Sequence, residues 1–248
     1  MKKIIDGMGE IEFGRFYNKK NKIISSLKET PIIDSEKIET VSLKQAEKLL
    51  DNEYIFNLVQ HRDEINIYKT NPINLLSNYR FDVFVKYYYV KSYIENSNLD
   101  EATEIYLSHI KAFNNFHEPD GRKNNAKDFI IKFNSLIENV KTCKKIDKTI
   151  IPISITGIPI DGAHRIAIAL YFNLKIQYCV FDLLDGKYDE AFFLQRGMPH
   201  KYVKKIKNIK NNELFININI SAKNCIEIIA NIMNEFDINE DFVKISIN

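Results

Sequence analysis

The sequence predicts an α+β fold, in which a small core of helices and strands follows a mainly helical region. Residues 42–116 contain three helix-like segments, whereas residues 126–182 alternate helix-like and strand-like patterns. No internal repeat and no low-complexity linker divides the chain. The predicted boundaries are 1–116 for the helical region, 117–200 for the core and 201–248 for a C-terminal helix-strand-helix extension.

Composition favours a soluble protein in the cytoplasm. The 248 residues are 45% hydrophobic and 27% charged, which suits one large or two small domains. A net charge of +2 gives no strong attraction to nucleic acid or to anionic membranes. The three cysteines form no CxxC pair, which argues against a zinc site or a disulfide framework. Acidic residues interrupt the N-terminal segment, and no apolar run approaches the roughly 20 residues needed to cross a bilayer, so neither a signal peptide nor a membrane span is expected.

Three helices are predicted before residue 117. Ser42 and Gln45 form a capping-box pattern at the start of the first. Residues 79–97 are long and free of Gly and Pro, which favours a helix over a strand. Asp100 is the expected cap of the third helix, whose apolar stripe marks His109 as a core histidine. That stripe consists of Ala102, Ile105, Tyr106, His109, Ile110, Phe113 and Phe116.

The core is predicted to alternate helices and strands. A polar loop at 117–125 precedes an amphipathic helix that begins at residue 126. Thr156 and Gly157 indicate a tight hairpin between two short β-rich runs. The helix from Ala163 is apolar on nearly every side and is therefore expected to be buried, and a strand follows at 175–182.

Beyond the core, residues 188–210 predict a helix, a turn at 197–199 and a basic helix. Residues 213–220 then predict a strand and residues 221–236 a capped helix. The lysines between 201 and 210 are expected to lie on a solvated helix face.

The start of the buried helix combines the residue types that bind phosphate. The first turn of a helix has free N–H groups at its positive dipole end, and Gly162 allows an anion to approach the backbone closely. Arg165 can grip phosphate with two donors, and His164 can bind a phosphate oxygen or move a proton. Asp161 can cap the helix, hold a metal ion or accept a proton from a hydroxyl.

The stretch IPISITGIPIDGAHRIAIALYFNLKIQYCVFD resembles the core motif of the ParB/sulfiredoxin superfamily, and the preceding amphipathic helix also corresponds to one in that fold. The resemblance covers under a third of the chain. It implies a mixed sheet with helices, and nucleotide phosphate bound by Gly162, Ala163, His164 and Arg165. Ala163 stands where sulfiredoxins need a reactive cysteine, and the two-arginine turn of the partitioning proteins is missing.

The nearest members are the small-molecule kinases that phosphorylate free serine, although Ala163 departs from their pattern as well. This implies ATP with Mg²⁺, and a phosphoryl transfer to a hydroxyl of a sugar, polyol or amino acid, in surface-glycan or secondary metabolism. Asp161, Glu118 and His164 are the candidate catalytic residues. In the polar loop, Arg122 and Lys123 are candidates for neutralising phosphoryl charge, and Asp120 is a candidate metal ligand.

Two alternatives remain open at this point. One is a ParB-like switch that responds to CTP or ATP, or a nucleic-acid-binding protein, although the near-neutral charge makes nucleic acid an unexpected partner. The other is a scaffold that binds nucleotide without turnover. The expected partners of the leading hypothesis are a nucleotide and a small hydroxyl acceptor, with no membrane involved.

Overall fold

A computed structural model describes residues 35–50, 53–59, 62–118, 121–146, 149–183, 185–213, 218–219 and 245–246. These residues combine helices with a four-stranded mixed sheet, in agreement with the predicted α+β class. The helices are α1 (Leu43–Glu47), α2 (Glu53–Leu58), α3 (Phe81–Glu95), α4 (Leu99–Asn114), α5 (Ala126–Cys143), α6 (Ala163–Phe172), α7 (Glu190–Gln195) and α8 (His200–Glu213), with a 3₁₀ turn at Pro72–Leu75. The strands are β1 (Glu36–Ser42), β2 (Glu64–Thr70), β3 (Ile151–Ser154), β4 (Ile176–Phe181), β5 (Ile218–Asn219) and β6 (Ile245–Ser246).

The main sheet has the strand order β1-β2-β4-β3. β1 pairs antiparallel with β2, and β2 pairs antiparallel with β4. β3 and β4 are parallel and are joined through α6, because parallel neighbours need a crossover rather than a tight turn. The crossover places the start of α6 just beyond the β3 edge of the sheet.

β1 and β2 were not predicted from the sequence, and they lie in the segment predicted to be mainly helical. β2 pairs with β4, more than 100 residues further along the chain. Such a strand is stabilised by a partner that no local pattern reveals, and β-propensity depends strongly on this context. Both strands join the sheet that contains the predicted core strand β4, so residues before 117 contribute to the same sheet.

The sheet is covered on both faces. Tyr178 and Val180 of β4 belong to the larger apolar cluster, whereas Cys179 and Phe181 belong to the smaller one. This alternation follows from the two-residue period of a strand. Helices α3 to α8 all contribute to the larger cluster, and α6 is packed directly on α3.

The described helices agree closely with the predicted ones. Ser42 caps α1 through a complete capping box with Gln45. Asp100 does not cap α4, contrary to the prediction: the helix begins at Leu99, after Asn98 in a left-handed conformation. Asp100 lies in the first turn, where its negative charge interacts favourably with the positive end of the helix dipole.

The predicted hairpin at Thr156 and Gly157 is present and sets the position of α6. Backbone hydrogen bonds run from Ser154 N to Ile158 O over 2.9 Å and from Ile160 N to Pro152 O over 2.8 Å. Gly157 has a φ of 83°, a left-handed conformation that glycine adopts without strain. The chain therefore folds back over β3 and reaches α6 within a few residues.

The predicted turn at 197–199 and the basic helix α8 are also present. β5 falls within the predicted strand at 213–220 and pairs in parallel with β6. The predicted helix at 221–236 lies outside the described residues. Within the part of the chain that the structure describes, no helix has both the length and the apolar character needed to cross a bilayer.

Candidate functional site

The centre of the candidate site is a contact between α4 and α6. The Tyr106 hydroxyl lies 3.0 Å from Nε2 of His164, in the first turn of α6. The His164 ring packs edge-on against Phe133 of α5, with 4.4 Å between ring centroids. Three helices therefore hold the imidazole in place. Burial lowers the pKa of His164 well below its usual value, and the charges of Lys86 and Lys123 lower it further, so the ring is neutral near pH 7.

Gly162 brings the backbone close to the sheet at the start of α6. It is the N-cap residue, with a φ of 88°, and among the described residues no side chain caps the helix. A Cβ at this position would overlap Cδ1 of Ile151. Gly162 itself offers no side-chain acceptor to the first-turn amides, and such a helix N-terminus favours an anion.

Arg165 makes contacts that differ from those predicted. Its side chain is buried, and Nη1 donates to Thr149 Oγ1 and to the Ile150 carbonyl over 3.4 Å. Its Nη2 lies 3.8 Å from Asp161 Oδ2. The guanidinium is therefore directed at the segment that enters β3, where it has a structural role in this conformation, and phosphate binding by Arg165 stays a prediction.

Asp161 keeps access to solvent, since 39% of its side chain is exposed. Its negative charge also acts on two buried cations. Burial lowers the pKa of Lys86, and the charges of Asp82 and Asp161 offset that effect only in part, whereas for Arg80 the charges of Asp82 and Asp161 help to raise the pKa against burial. Ala163 is buried beside it in the first turn of α6. Asp161 therefore lies between the solvent-accessible start of α6 and the buried side chains of Arg80 and Lys86.

The predicted polar loop closes on itself through Glu118 and Lys123. Lys123 Nζ donates to Glu118 Oε1 over 2.7 Å, and the Glu118 amide donates to the Lys123 carbonyl over 3.0 Å. Lys123 Nζ also lies 4.9 Å from the centre of the Phe129 ring. Arg122 is exposed on the same loop, whereas Asp120 lies outside the described residues.

The loop lies next to α6, although about 40 residues separate them in sequence. Burial raises the pKa of Tyr106 well above its usual value, and the negative charge of Glu118 raises it further. The positive charge of Lys123 lowers the pKa of His164. These charge effects agree with the contact between Phe133 of α5 and His164, and they indicate that the loop before α5 lies on the same side of the molecule as the Tyr106–His164 contact.

Three buried charged residues beside this site were missed. Arg80 donates from Nε and Nη2 to the two carboxylate oxygens of Asp82, each over 2.8 Å, and from Nη1 to the Pro159 carbonyl. Lys86 Nζ donates to Asp82 Oδ2 over 3.0 Å. Arg80, Asp82 and Lys86 are at most 5% exposed. The sequence feature that could have revealed them is the presence of three charged residues within YRFDVFVK, a segment whose other residues are apolar or aromatic.

His109 is a core histidine, as predicted, and it is 0% exposed. Neither of its ring nitrogens has a hydrogen-bond partner among the described residues. Its ring lies 4.7 Å from that of Phe193 and 6.4 Å from that of Tyr106, between centroids. An unsatisfied buried imidazole is costly, so this position needs an explanation.

The basic helix α8 is not a free cationic surface. Lys205 lies 3.2 Å from Glu101, and Lys207 lies 3.6 Å from Glu190. Val203 and Ile206 of the same helix are buried in the larger apolar cluster. An open groove of about 500 Å³ between α4 and α8 is lined by Glu101, Glu104, Lys201, Tyr202, Lys204, Lys205 and Asn208, none of which was a predicted site residue.

Among the described residues, no three His, Cys, Asp or Glu side chains come close enough together to hold a metal ion. Comparison with protein-family models, with curated proteins and with solved structures finds no significant match for this chain.

Proposed function

We propose that this protein is a small-molecule kinase that transfers a phosphoryl group from ATP to a hydroxyl group of its acceptor. The observation that carries the proposal is the convergence of two segments selected independently from the sequence. The loop containing Glu118 and Lys123 precedes α5, whose Phe133 ring lies 4.4 Å from that of His164 in the first turn of α6, and the charges of the loop act on Tyr106 and His164. A carboxylate, an ammonium and uncapped helix amides are thus grouped at one corner.

The N-terminus of α6 is the proposed seat of the nucleotide phosphates. Gly162 and Ala163 present backbone rather than bulky side chains there, and the helix dipole favours negative charge. Lys123 is the proposed cation of the site, since Arg165 is engaged with Thr149 and Ile150. His164 supplies a neutral imidazole held by Tyr106.

Glu118 is the proposed base that accepts the proton of the acceptor hydroxyl. It is now paired with Lys123, and a bound phosphoryl group would compete for that ammonium. If the phosphoryl group took Lys123 as its partner, the Glu118 carboxylate would become free to accept a proton once the phosphoryl group is in place. Positioning and charge stabilisation are the main requirements of phosphoryl transfer, and these groups meet them.

A magnesium ion bound with the nucleotide would neutralise charge on the phosphates. Mg²⁺ in such sites takes one or two carboxylates and keeps several waters, so a three-residue protein cluster is not required. Asp161 offers a partly exposed carboxylate at the start of α6 and is the described residue best placed to hold the ion. Asp120 stays a second candidate from sequence.

The resemblance to the ParB/sulfiredoxin superfamily supports the same assignment. The order α5, hairpin, α6 and β4 is the order on which that resemblance rests, and its nearest members phosphorylate a small hydroxyl compound. The proposed acceptors are accordingly a sugar, a polyol or an amino acid, by analogy with those members.

The first experiment is a thermal-shift screen with ATP, ADP and CTP in the presence of Mg²⁺, followed by assays of phosphate transfer from labelled ATP to a library of hydroxyl compounds. We expect ATP to raise the melting temperature and at least one acceptor to become labelled. Glu118→Gln should keep the ATP-induced shift and lose transfer. Glu138→Gln is the matched control, because Glu138 pairs with Lys141 on an exposed face of α5.

Other outcomes would select other functions. Stabilisation by ATP without transfer to any acceptor would indicate a nucleotide-binding scaffold. A response to CTP together with salt-dependent retention on duplex DNA would indicate a ParB-like switch. Absence of any nucleotide response would remove the basis of the kinase assignment.

A further inference from the structure

The tip of the hairpin between β3 and α6 carries a hydroxyl that donates to a carboxylate. Thr156 Oγ1 donates to Asp185 Oδ1 over 2.6 Å, and Asp185 lies in the segment that follows β4. Ser154 Oγ lies 2.8 Å from the same Thr156 oxygen. Because the single hydroxyl hydrogen of Thr156 goes to Asp185, Ser154 is the donor in this second contact. The three side chains therefore form a chain of hydrogen bonds that ends on a carboxylate.

Thr156 is the member of this chain that a reactant can reach. Ser154 is fully buried, and its oxygen also accepts from the amide of Ile158 over 3.3 Å. Thr156 is exposed, and a Cβ added to the neighbouring Gly157 would have nothing within 4 Å. The Thr156 oxygen donates one hydrogen bond and accepts one, which leaves a lone pair for a further bond. A hydroxyl at this distance from a carboxylate has the arrangement of a nucleophile and its general base.

The hairpin tip is distant from the proposed phosphate corner of the same chain. Gly162, at the start of α6, lies against Ile151, the first residue of β3. Thr156 lies beyond Ser154, the last residue of that strand. Three residues of strand span roughly 10 Å, whereas an attacking oxygen must come within about 3.5 Å of the phosphorus atom. A phosphoryl group held at α6 can therefore reach Thr156 of a second molecule but not that of its own.

We propose that Thr156 is a phosphoacceptor, modified in trans by the ATP-bound site of a second copy of this chain. Oγ1 of Thr156 forms a bond to the γ-phosphorus, the bond from that phosphorus to the bridging oxygen of ADP breaks, and the hydroxyl proton passes to Asp185. The inference rests on the proposed function, because the kinase site supplies the phosphoryl group. The product places a phosphate beside the Asp185 carboxylate, and since like charges repel, the hairpin loses its hydrogen bond to the segment after β4.

The first experiment incubates the whole chain with labelled ATP and Mg²⁺, without a small acceptor, and locates phosphate by peptide mass spectrometry. We expect the label on Thr156. Thr156→Val should abolish labelling and keep the ATP-induced thermal shift, which shows that the variant is folded, and Thr156→Ser should restore labelling. Asp185→Asn should slow labelling strongly, since a positioned base contributes about 10²–10⁴-fold. Thr40→Val is the matched control, because the exposed Thr40 donates over 2.9 Å to the amide oxygen of Asn66, which is not a base.

A mixing experiment separates transfer between molecules from transfer within one. Thr156→Val keeps the nucleotide site and lacks the acceptor hydroxyl, whereas Lys123→Met keeps the hydroxyl and lacks the proposed cation of the site. Neither variant alone should become labelled, and a mixture should carry phosphate on Thr156 of the Lys123→Met chain. The initial rate for the wild type should rise with the square of the protein concentration, because two molecules must meet.

Three results would overturn the inference. They are labelling of a small acceptor with no phosphate on Thr156, an equal loss of label in Thr40→Val and Thr156→Val, and a rate per molecule that does not depend on protein concentration. The first of these leaves the kinase assignment intact. A chain with no response to ATP would remove both the kinase and the phosphoacceptor, whereas phosphate on Thr156 without any labelled small acceptor would support this site and contradict a small-molecule substrate.

Discussion

The Tyr106 hydroxyl and Nε2 of His164 lie 3.0 Å apart and join the middle of α4 to the first turn of α6. Tyr106 is fully buried, and its ring lies 4.9 Å from that of Tyr89 on α3 and 5.3 Å from that of Phe133 on α5, between centroids. One side chain therefore contacts two other helices, α3 and α5, in addition to holding the imidazole on α6. The geometry of the site depends on this contact.

Tyr106→Phe should lower the free energy of unfolding by about 1–3 kcal/mol. The ring packing is preserved, but Nε2 of the half-buried His164 loses its partner. Urea denaturation at pH 7 measures the loss. Tyr171→Phe is the control, since its hydroxyl is 3.5 Å from Glu95 in an exposed contact and should contribute less. Equal losses in the two variants would contradict a stabilising role for the Tyr106 hydroxyl.

Gly162→Ala should destabilise the protein more than Gly157→Ala. Both glycines have a positive φ, of 88° and 83°, so both substitutions introduce backbone strain of about 1 kcal/mol or more. Only at Gly162 would the new Cβ also overlap Ile151, whereas nothing lies within 4 Å at Gly157. The extra loss should be about 1–3 kcal/mol, as for overpacking in a core. Denaturation curves that coincide for the two variants would show that Ile151 moves aside freely.

Local patterns predicted the parts of this fold that depend on local contacts. The capping box at Ser42, the apolar faces of α5 and α6 and the turn at Gly157 are encoded within a few residues, and each is present. β1 and β2 were missed because their strand conformation depends on pairing with each other and with β4. No local pattern of spacing reports a partner more than 100 residues away.

In the candidate site, too, local sequence predicted some features, whereas tertiary packing determines the others. The sequence identified Asp161 to Arg165 and the loop around Glu118 as polar segments, and the charges of Glu118 and Lys123 act on Tyr106 and His164. Which way a side chain points is set by tertiary packing, so the internal contacts of Arg165 were not predictable. Nor was the burial of Lys86, since a charge within a long helix normally faces water.

Arg165→Met should destabilise the fold and leave the ATP-induced shift in place. Its guanidinium bonds to Thr149 and Ile150, so the substitution leaves buried acceptors without a donor, at about 1–3 kcal/mol. Urea denaturation and thermal shifts with ATP and Mg²⁺ separate the two effects. If the variant is as stable as the wild type and no longer responds to ATP, Arg165 binds phosphate after all.

Asp82→Asn should be among the most damaging single substitutions. Burial alone would raise the pKa of the Asp82 carboxyl, but the charges of Arg80 and Lys86 outweigh it and hold that pKa well below its usual range. Removing the carboxylate leaves both cations buried without their counter-charge, a loss of about 3–5 kcal/mol. Denaturation at pH 7 measures it, with Asp128→Asn, a half-buried carboxylate in the first turn of α5, as control.

The same carboxylate makes a defined contribution to the pH dependence of stability. A carboxyl group whose pKa is lower in the folded than in the unfolded state stabilises the protein above about pH 3.9. This contribution to stability is lost as the pH falls below that value. The wild type should therefore lose stability in acid through Asp82, whereas Asp82→Asn should lack this component. A variant whose acid-induced loss between pH 4 and pH 3 equals that of the wild type would contradict the assignment.

Buried histidines should give a second and separate pH dependence. Burial lowers the pKa of His109 and His164 well below the ordinary value, and the charge of Lys86 adds to the effect on each. The unfolded chain gains these protons near pH 6.5, whereas the folded protein gains them only at lower pH. The contribution of these two histidines to stability is thus fully present above about pH 6.5, and it falls as the pH drops below that value.

His109→Phe isolates the contribution of one ring. Phenylalanine keeps an aromatic side chain next to Phe113 and Phe193, and it removes two buried nitrogens that lack partners. Between pH 6.5 and pH 5, the free energy of unfolding of the wild type should fall more steeply than that of the variant, by up to about 1.4 kcal/mol per pH unit. Urea denaturation at several pH values measures the slopes, with His200→Gln at an exposed position as control. If His109→Phe keeps the wild-type slope, the imidazole takes up its proton within the fold, and the cluster around Lys86 is more polar and better solvated than its burial implies.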